Sequence, residues 1–195
     1  MTLLEIVVHG RGGQGAVTAA QIIAEAAYQS GNFRDVNSFP SFGAERRGAP
    51  VQAYTRLSST DKIYTRSQII RPDIIIILDE TVFPKEQIPN LKENGIIIVN
   101  SPKTPAELAA KFNIRQKCTI ATADVSKICF KNKLVVDELP ILNTPILGVL
   151  SKVLNEIPLE TMKEAIIKHM ENQKGSLNAL AADYSAAVTQ ILDIE

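Results

Sequence analysis

Two runs of isoleucine constrain this chain most: Asp73-Ile74-Ile75-Ile76-Ile77-Leu78-Asp79 and Gly95-Ile96-Ile97-Ile98-Val99-Asn100. A strand with one face in water alternates apolar and polar residues, and these runs do not alternate. Both of their faces must therefore be covered, and their β-branched content favours strand over helix. Strands covered on both sides are central strands of a parallel sheet with helices packed above and below.

The rest of the chain supplies the other parts. Leu3 to His9 and Cys118 to Ala121 read as further strands. Val17, Ala20, Ile23, Ala24 and Ala27 recur at helical spacing from Ala16 to Ser30, and Gly31 is a natural stop. Thr104-Pro105-Ala106-Glu107 sets out an N-cap, a first-turn proline and a capping-box glutamate in order. The expected fold class is α/β, a Rossmann-like doubly wound, mostly parallel sheet with a C-terminal helical segment. Residues 1–195 read as one domain, with the helical tail at about 140–195. Residues 32–50 read as polar and turn-rich. Val51–Leu57 and Lys62–Arg66 are expected to pair as a hairpin through Ser58-Ser59-Thr60-Asp61. In the tail, one helix starts at Thr144-Pro145 and another after Pro158, with Met162, Ala165, Ile166 and Met170 on one stripe. A third runs from about Ser176 and is expected to turn Leu177, Leu180, Tyr184, Val188 and Ile191 inward. These helices either cover the sheet or leave a face for a partner.

Composition removes several function classes. With 21 Lys+Arg against 21 Asp+Glu, the 195 residues carry no net charge, so no general basic coat for nucleic acid is present. Cys118 and Cys129 form no CxxC and have no neighbouring His, which argues against a zinc site or a disulfide framework. An iron–sulfur cluster needs about four thiolates, so the chain cannot hold one alone. The first residues lack a signal-peptide pattern, and no apolar run nears the roughly 20 residues of a membrane span. A cytoplasmic protein without nucleic-acid or membrane partners is expected. Two histidines support no catalytic triad, and no catalytic residue or metal ligand is assigned.

His9-Gly10-Arg11-Gly12-Gly13-Gln14-Gly15 meets the G-x-G-x-x-G spacing, with a strand before it and a helix after it. Such glycines permit a tight turn and bring free amides of a helix N-terminus toward an anion. Ala16 and Val17 stand where a phosphate-binding P-loop requires Lys and Ser/Thr. Asp35, at the distance expected for a ribose-binding acid, lies in a mostly polar segment, so a nicotinamide or flavin site is disfavoured. An anion site remains, beside the simpler reading that the glycines only pack helix on strand.

The second unusual segment is Ser38-Phe39-Pro40-Ser41-Phe42-Gly43-Ala44-Glu45-Arg46-Arg47-Gly48-Ala49-Pro50. Two adjacent guanidiniums suit a polyanion or an acidic partner face; alternatively Glu45 pairs with one of them and stiffens the loop. Elsewhere, His9 reads as a hydrogen-bonded strand-end histidine, His169 as surface, and Asp79 and Glu80 as caps. Asn100 and Ser101 could add hydrogen bonds at the same sheet edge, and the cysteines read as small buried hydrophobes.

The two loops in this order, with Asp79-Glu80-Thr81 and Asn143-Thr144-Pro145-Ile146-Leu147-Gly148, resemble the gamma subunit of pyruvate (2-oxoacid):ferredoxin oxidoreductases. The resemblance spans about residues 4 to 170. It implies a subunit of an enzyme that converts pyruvate, CoA and oxidised ferredoxin to acetyl-CoA, CO2 and reduced ferredoxin. Thiamine diphosphate and its Mg²⁺ would then belong to alpha and beta subunits, and [4Fe–4S] clusters to beta and delta subunits, with no cofactor on this chain. Gly10, Arg11, Gly12, Gly13, Gln14, Gly15, Glu45, Arg46 and Arg47 would contact CoA or line a subunit interface. A 2-oxoisovalerate or other 2-oxoacid enzyme, a pure assembly scaffold and a self-contained nucleotide-binding oxidoreductase are the alternatives. A homodimer is the state open to the isolated chain.

Overall fold

The computed structural model describes residues 3–41, 47–170 and 172–195. Strand β1 (Leu3–Arg11) leads through the glycine turn into α1 (Ala16–Gln29), and β2 (Asp35–Pro40), β3 (Pro50–Ser58), β4 (Ile74–Ile77) and β5 (Gly95–Asn100) follow. Then come α2 (Pro105–Phe112), β6 (Cys118–Ala123), α3 (Val125–Lys131) and a two-stranded hairpin of β7 (Val135–Val136) and β8 (Leu139–Pro140). Helices α4 (Ile146–Val153), α5 (Leu159–Met170) and α6 (Asn172–Val188) precede a last strand, β9 (Gln190–Ile194).

The main sheet has the order β2-β3-β1-β4-β5-β6-β9. Its centre, β1-β4-β5-β6, is parallel, with Ile6 opposite Ile74 and Ile74 opposite Ile96. Strand β3 joins β1 antiparallel, β2 joins β3 antiparallel, and β9 closes the far side antiparallel to β6. The isoleucine runs divide by parity, as the strand period requires. Ile74, Ile76 and Ile98 face α1 and the helices of the tail, whereas Ile75, Ile77, Ile97 and Val99 face Phe83, Leu91 and Leu108. All seven of these isoleucine and valine side chains are buried, each contributing roughly 1.5–3 kcal/mol of apolar transfer.

Local signals act as expected at most helix ends. Thr104 and Glu107 form both halves of the capping box on α2, and Pro105 occupies the first turn. Asp124 accepts from the Lys127 amide at 2.9 Å and starts α3. The Gly31 amide donates to the Tyr28 carbonyl just past α1.

Three expectations need correction. Residues 62–66 form no strand, because β3 already gives one edge to β1 and the other to β2; the Thr65 carbonyl instead accepts from Arg56 Nη1. The polar stretch 32–50 contains an edge strand, β2, which buries only Phe39 and ends at Pro40, where a missing amide costs no sheet pairing on the outer side. Helix α6 faces opposite to the prediction. Leu177, Leu180, Tyr184 and Val188 point outward, and Ile191 lies exposed on β9. The buried side of α6 is Asn178, Ala179, Ala181, Ala182, Ser185 and Ala186. Small residues are needed there because α4 approaches so closely that a Cβ on Gly148 would collide with the Ala182 carbonyl.

Candidate functional site

The chain turns left from β1 to β2 and β3 but right to β4, so the carboxyl ends of β1 and β4 form the switch point where open α/β sheets place ligands. The glycine turn leaves β1 there. Gly15 holds φ 79° with the Asn143 side chain packed against its Cα, so a side chain is excluded on both conformational and steric grounds. The amides of Gly13, Gly15, Ala16 and Val17 find no acceptor among the described residues. They are the free donors of a helix start.

The second loop is stitched onto this turn. The Gly12 amide donates to the Ala49 carbonyl at 2.8 Å, the Gly48 amide donates to the Gly12 carbonyl at 3.0 Å, and Gly12 and Arg47 form a parallel bridge. Residues 35 to 37 positions apart in the chain thus share one edge of the sheet. Arg47 is exposed, and its Nη2 meets Asp137 Oδ2 at 3.1 Å. Asp137 sits at the tip of the β7–β8 hairpin, in the left-handed region with Glu138. An exposed pair of this kind contributes roughly 0–1 kcal/mol and exchanges readily for another anion. Glu45 and Arg46 lie outside the described residues.

Arg11 and Gln14 are both engaged within the chain. Arg11 Nη1 donates to the Gly48 carbonyl at 2.8 Å and Nη2 to Thr81 Oγ1 at 2.6 Å, while Nε lies 3.3 Å from Asp79 Oδ2. Gln14 accepts from the Arg11 amide at 2.7 Å and donates to Asp79 at 3.2 Å. Both side chains brace the turn against the end of β4. Asp79 is the hub of that brace and also caps the short 3₁₀ turn Glu80–Val82 through the Thr81 amide. Burial raises its pKa, but the Thr81, Gln14 and Arg11 contacts outweigh this and hold it below the ordinary value.

The neighbouring carboxylate does not cap. Glu80 accepts from Ser101 Oγ, from Lys103 Nζ at 2.9 Å and from Lys111 Nζ at 2.6 Å. Burial opposes its ionisation, but these donors prevail and bring its pKa to about 2. Asn100 donates to the Leu78 carbonyl at 2.9 Å and so ties the ends of β4 and β5.

His9 sits just before the turn and directs its ring to Gln87. Its Nε2 meets Gln87 Oε1 at 2.6 Å, and Gln87 Nε2 donates to the Ile69 carbonyl, so His9 carries its proton on Nε2. Burial lowers its pKa to about 4, against the raising effect of Gln87, and the ring is neutral at physiological pH. Cys118 and Cys129 are buried thiols, pushed up to about 11 and about 12 chiefly by burial. His169 is surface-exposed on α5. Among the described residues no three His, Cys, Asp or Glu side chains gather as metal ligands, and no helix is long and apolar enough to cross a membrane.

Sequence reasoning missed how Asn143 and Thr144 serve the site. Asn143 packs on Gly15, and the buried Thr144 hydroxyl donates to Asn178 Oδ1 on α6, so one short segment fixes the glycine turn to the tail. The available signal was a polar Asn-Thr pair beside a proline at a helix start.

A family model for pyruvate ferredoxin/flavodoxin oxidoreductase matches residues 5–188. The chain is 40% identical over 193 residues to the pyruvate/ketoisovalerate oxidoreductases common subunit gamma of Pyrococcus abyssi, covering 98% of this chain and 100% of that one. It is 40% identical over 182 residues to pyruvate synthase subunit PorC of Methanocaldococcus jannaschii, covering 93% and 94%. The crystal structure of pyruvate oxidoreductase subunit PORC from Thermotoga maritima superposes with a TM-score of 0.81 at 30% identity, covering 99% of this chain and all of that one. The chain therefore belongs to the pyruvate ferredoxin/flavodoxin oxidoreductase family.

Proposed function

We propose that this chain is the gamma subunit of a pyruvate:ferredoxin oxidoreductase, acting as one domain over its whole length, in the cytoplasm. On this reading alpha and beta subunits hold thiamine diphosphate and Mg²⁺, beta and delta subunits hold the [4Fe–4S] clusters, and ferredoxin takes the electrons. This chain supplies no group that touches the reacting bond. Its task is to hold CoA, which brings a diphosphate and a 3′-phosphate, at the glycine turn and the Arg46–Arg47 loop. Binding energy from that remote nucleotide then orients the thiol toward an acyl group carried by another subunit.

One observation carries the reading: the unsatisfied amides of the turn and the exposed guanidinium of Arg47 are held on one edge by the Gly12–Arg47 bridge. Arg11, tied to Asp79 and Thr81, shapes this edge and leaves the anion to its neighbours. The test is Arg46→Ala/Arg47→Ala in the assembled enzyme. The CoA KM should rise at least ten-fold with the pyruvate KM unchanged. An unchanged CoA KM and turnover would overturn CoA binding by this loop and leave it a purely structural part of the complex. Turnover with pyruvate, 2-oxoisovalerate and 2-oxoglutarate decides the 2-oxoacid.

A further inference from the structure

Helix α6 buries its small side chains and exposes its large ones. Leu177, Leu180, Tyr184 and Val188 are between 41% and 53% exposed, whereas Ala181 and Ala182 are fully buried. At 100° per residue the four large side chains fall within about 80° of one another, a single stripe along the helix. A helix whose only apolar contacts were internal would place leucine and tyrosine inside. Contiguous apolar surface of this kind marks a contact with another molecule.

The surface beside the stripe specifies that molecule's chemistry. A pocket of about 540 Å³ opens between α3 and the end of α6, walled by Ile128, Tyr184 and Val188 and by the lysines at 103, 127 and 131. Lys103 is engaged by Glu80. Lys127 and Lys131 have no carboxylate partner among the described residues, and they stand one turn apart on the same seven-residue helix, where like charges repel. Asp124, also in the pocket wall, spends its carboxylate on the Lys127 amide. With Lys127 and Lys131 against the one carboxylate of Asp124, the pocket keeps a surplus of positive charge. An apolar stripe ending there is complementary to a protein surface with an apolar ridge flanked by carboxylates.

We propose that this face is where another subunit of the oxidoreductase docks, laying an apolar segment along Leu177–Val188 and placing a carboxylate side chain between Lys127 and Lys131. The proposal rests on the chain being a subunit, and not on where CoA binds. It is tested by co-expressing the chain with the remaining subunits and measuring what co-purifies. Leu180→Asp/Tyr184→Asp should lower recovery of the partner subunits at least ten-fold, while the circular dichroism of the isolated variant matches wild type. Lys127→Glu/Lys131→Glu, at exposed positions, tests the pocket should the first variant fail to fold, and should dissociate the complex at a salt concentration that wild type withstands. Wild-type recovery and stoichiometry from both variants would overturn the docking face. Failure of the wild-type chain to capture any subunit would overturn the subunit reading itself. An isolated chain that is dimeric in wild type and monomeric in the variants, with the complex intact, would assign the face to a second copy and overturn the proposal.

Discussion

Helices α1 and α6 are both rich in alanine and both pack on the same side of the sheet, yet they use alanine differently. In α1, alanines alternate with Ile22 and Ile23, and the helix is covered by the sheet on one side and α5 on the other. Its alanines and isoleucines are consumed within the chain, and Tyr28 near its end is its one large apolar side chain left exposed. In α6, alanine serves close approach to α4 and α5, and the larger side chains are left outside. The difference teaches that burial of a residue type is not its function. Alanine in α1 fills a two-sided layer, whereas in α6 it sets the distance at which a one-sided layer presents its outer face.

Removing bulk from the two helices breaks the comparison most directly. Ile23 is fully buried, and Ile23→Ala should cost about 3–4 kcal/mol, a fall of roughly 10 °C in Tm for a chain this long, read by thermal denaturation. An equal fall from Leu180→Ala would show that α6 is covered after all. The covered interior also has a pH signature. His9 titrates at 6.5 when unfolded and about 4 when folded, so the unfolded state binds the extra proton between those values. Its share of stability is intact above pH 6.5 and declines by roughly 3 kcal/mol as pH falls to about 4. His9→Gln keeps a donor toward Gln87 and should lack this component in pH-dependent melts. Glu80 acts lower: its contribution is complete above about 4.5 and fades as pH drops toward about 2.

Smaller effects sharpen the same contrast. Thr104→Ala removes half of the α2 capping box and should cost about 1 kcal/mol by urea denaturation, a local loss indifferent to either helix face. Leu180→Ala should change the isolated chain by less than about 0.5 kcal/mol.

Much of the fold was legible because its signals are local. The isoleucine runs carry no polar face, and the Thr104–Glu107 box uses four consecutive residues. The glycine turn was legible as a turn, and the Arg47 loop as unusual, but their meeting depends on a bridge between residues 12 and 47 that no window spans. The engagement of Arg11 was illegible in sequence because its partners, Thr81 and Asp79, lie some 70 residues away. The reversed face of α6 was illegible for a deeper reason. Hydrophobic periodicity finds the surface that avoids water, without saying whether the chain itself or another molecule excludes that water.

The antiparallel pairing of β9 with β6 has a consequence for colloidal behaviour. Without residues 190–194, Cys118–Thr122 would present a row of free amides and carbonyls beside Ile120 and Ala121, an inviting template for a neighbouring molecule. With β9 in place, the outermost strand on that side carries Asp193, and the opposite border carries Asp35 and Pro40. A lesion in this strand would therefore register as turbidity in a concentrated solution, alongside the stability lost with its ladder and with the packing of Ile194.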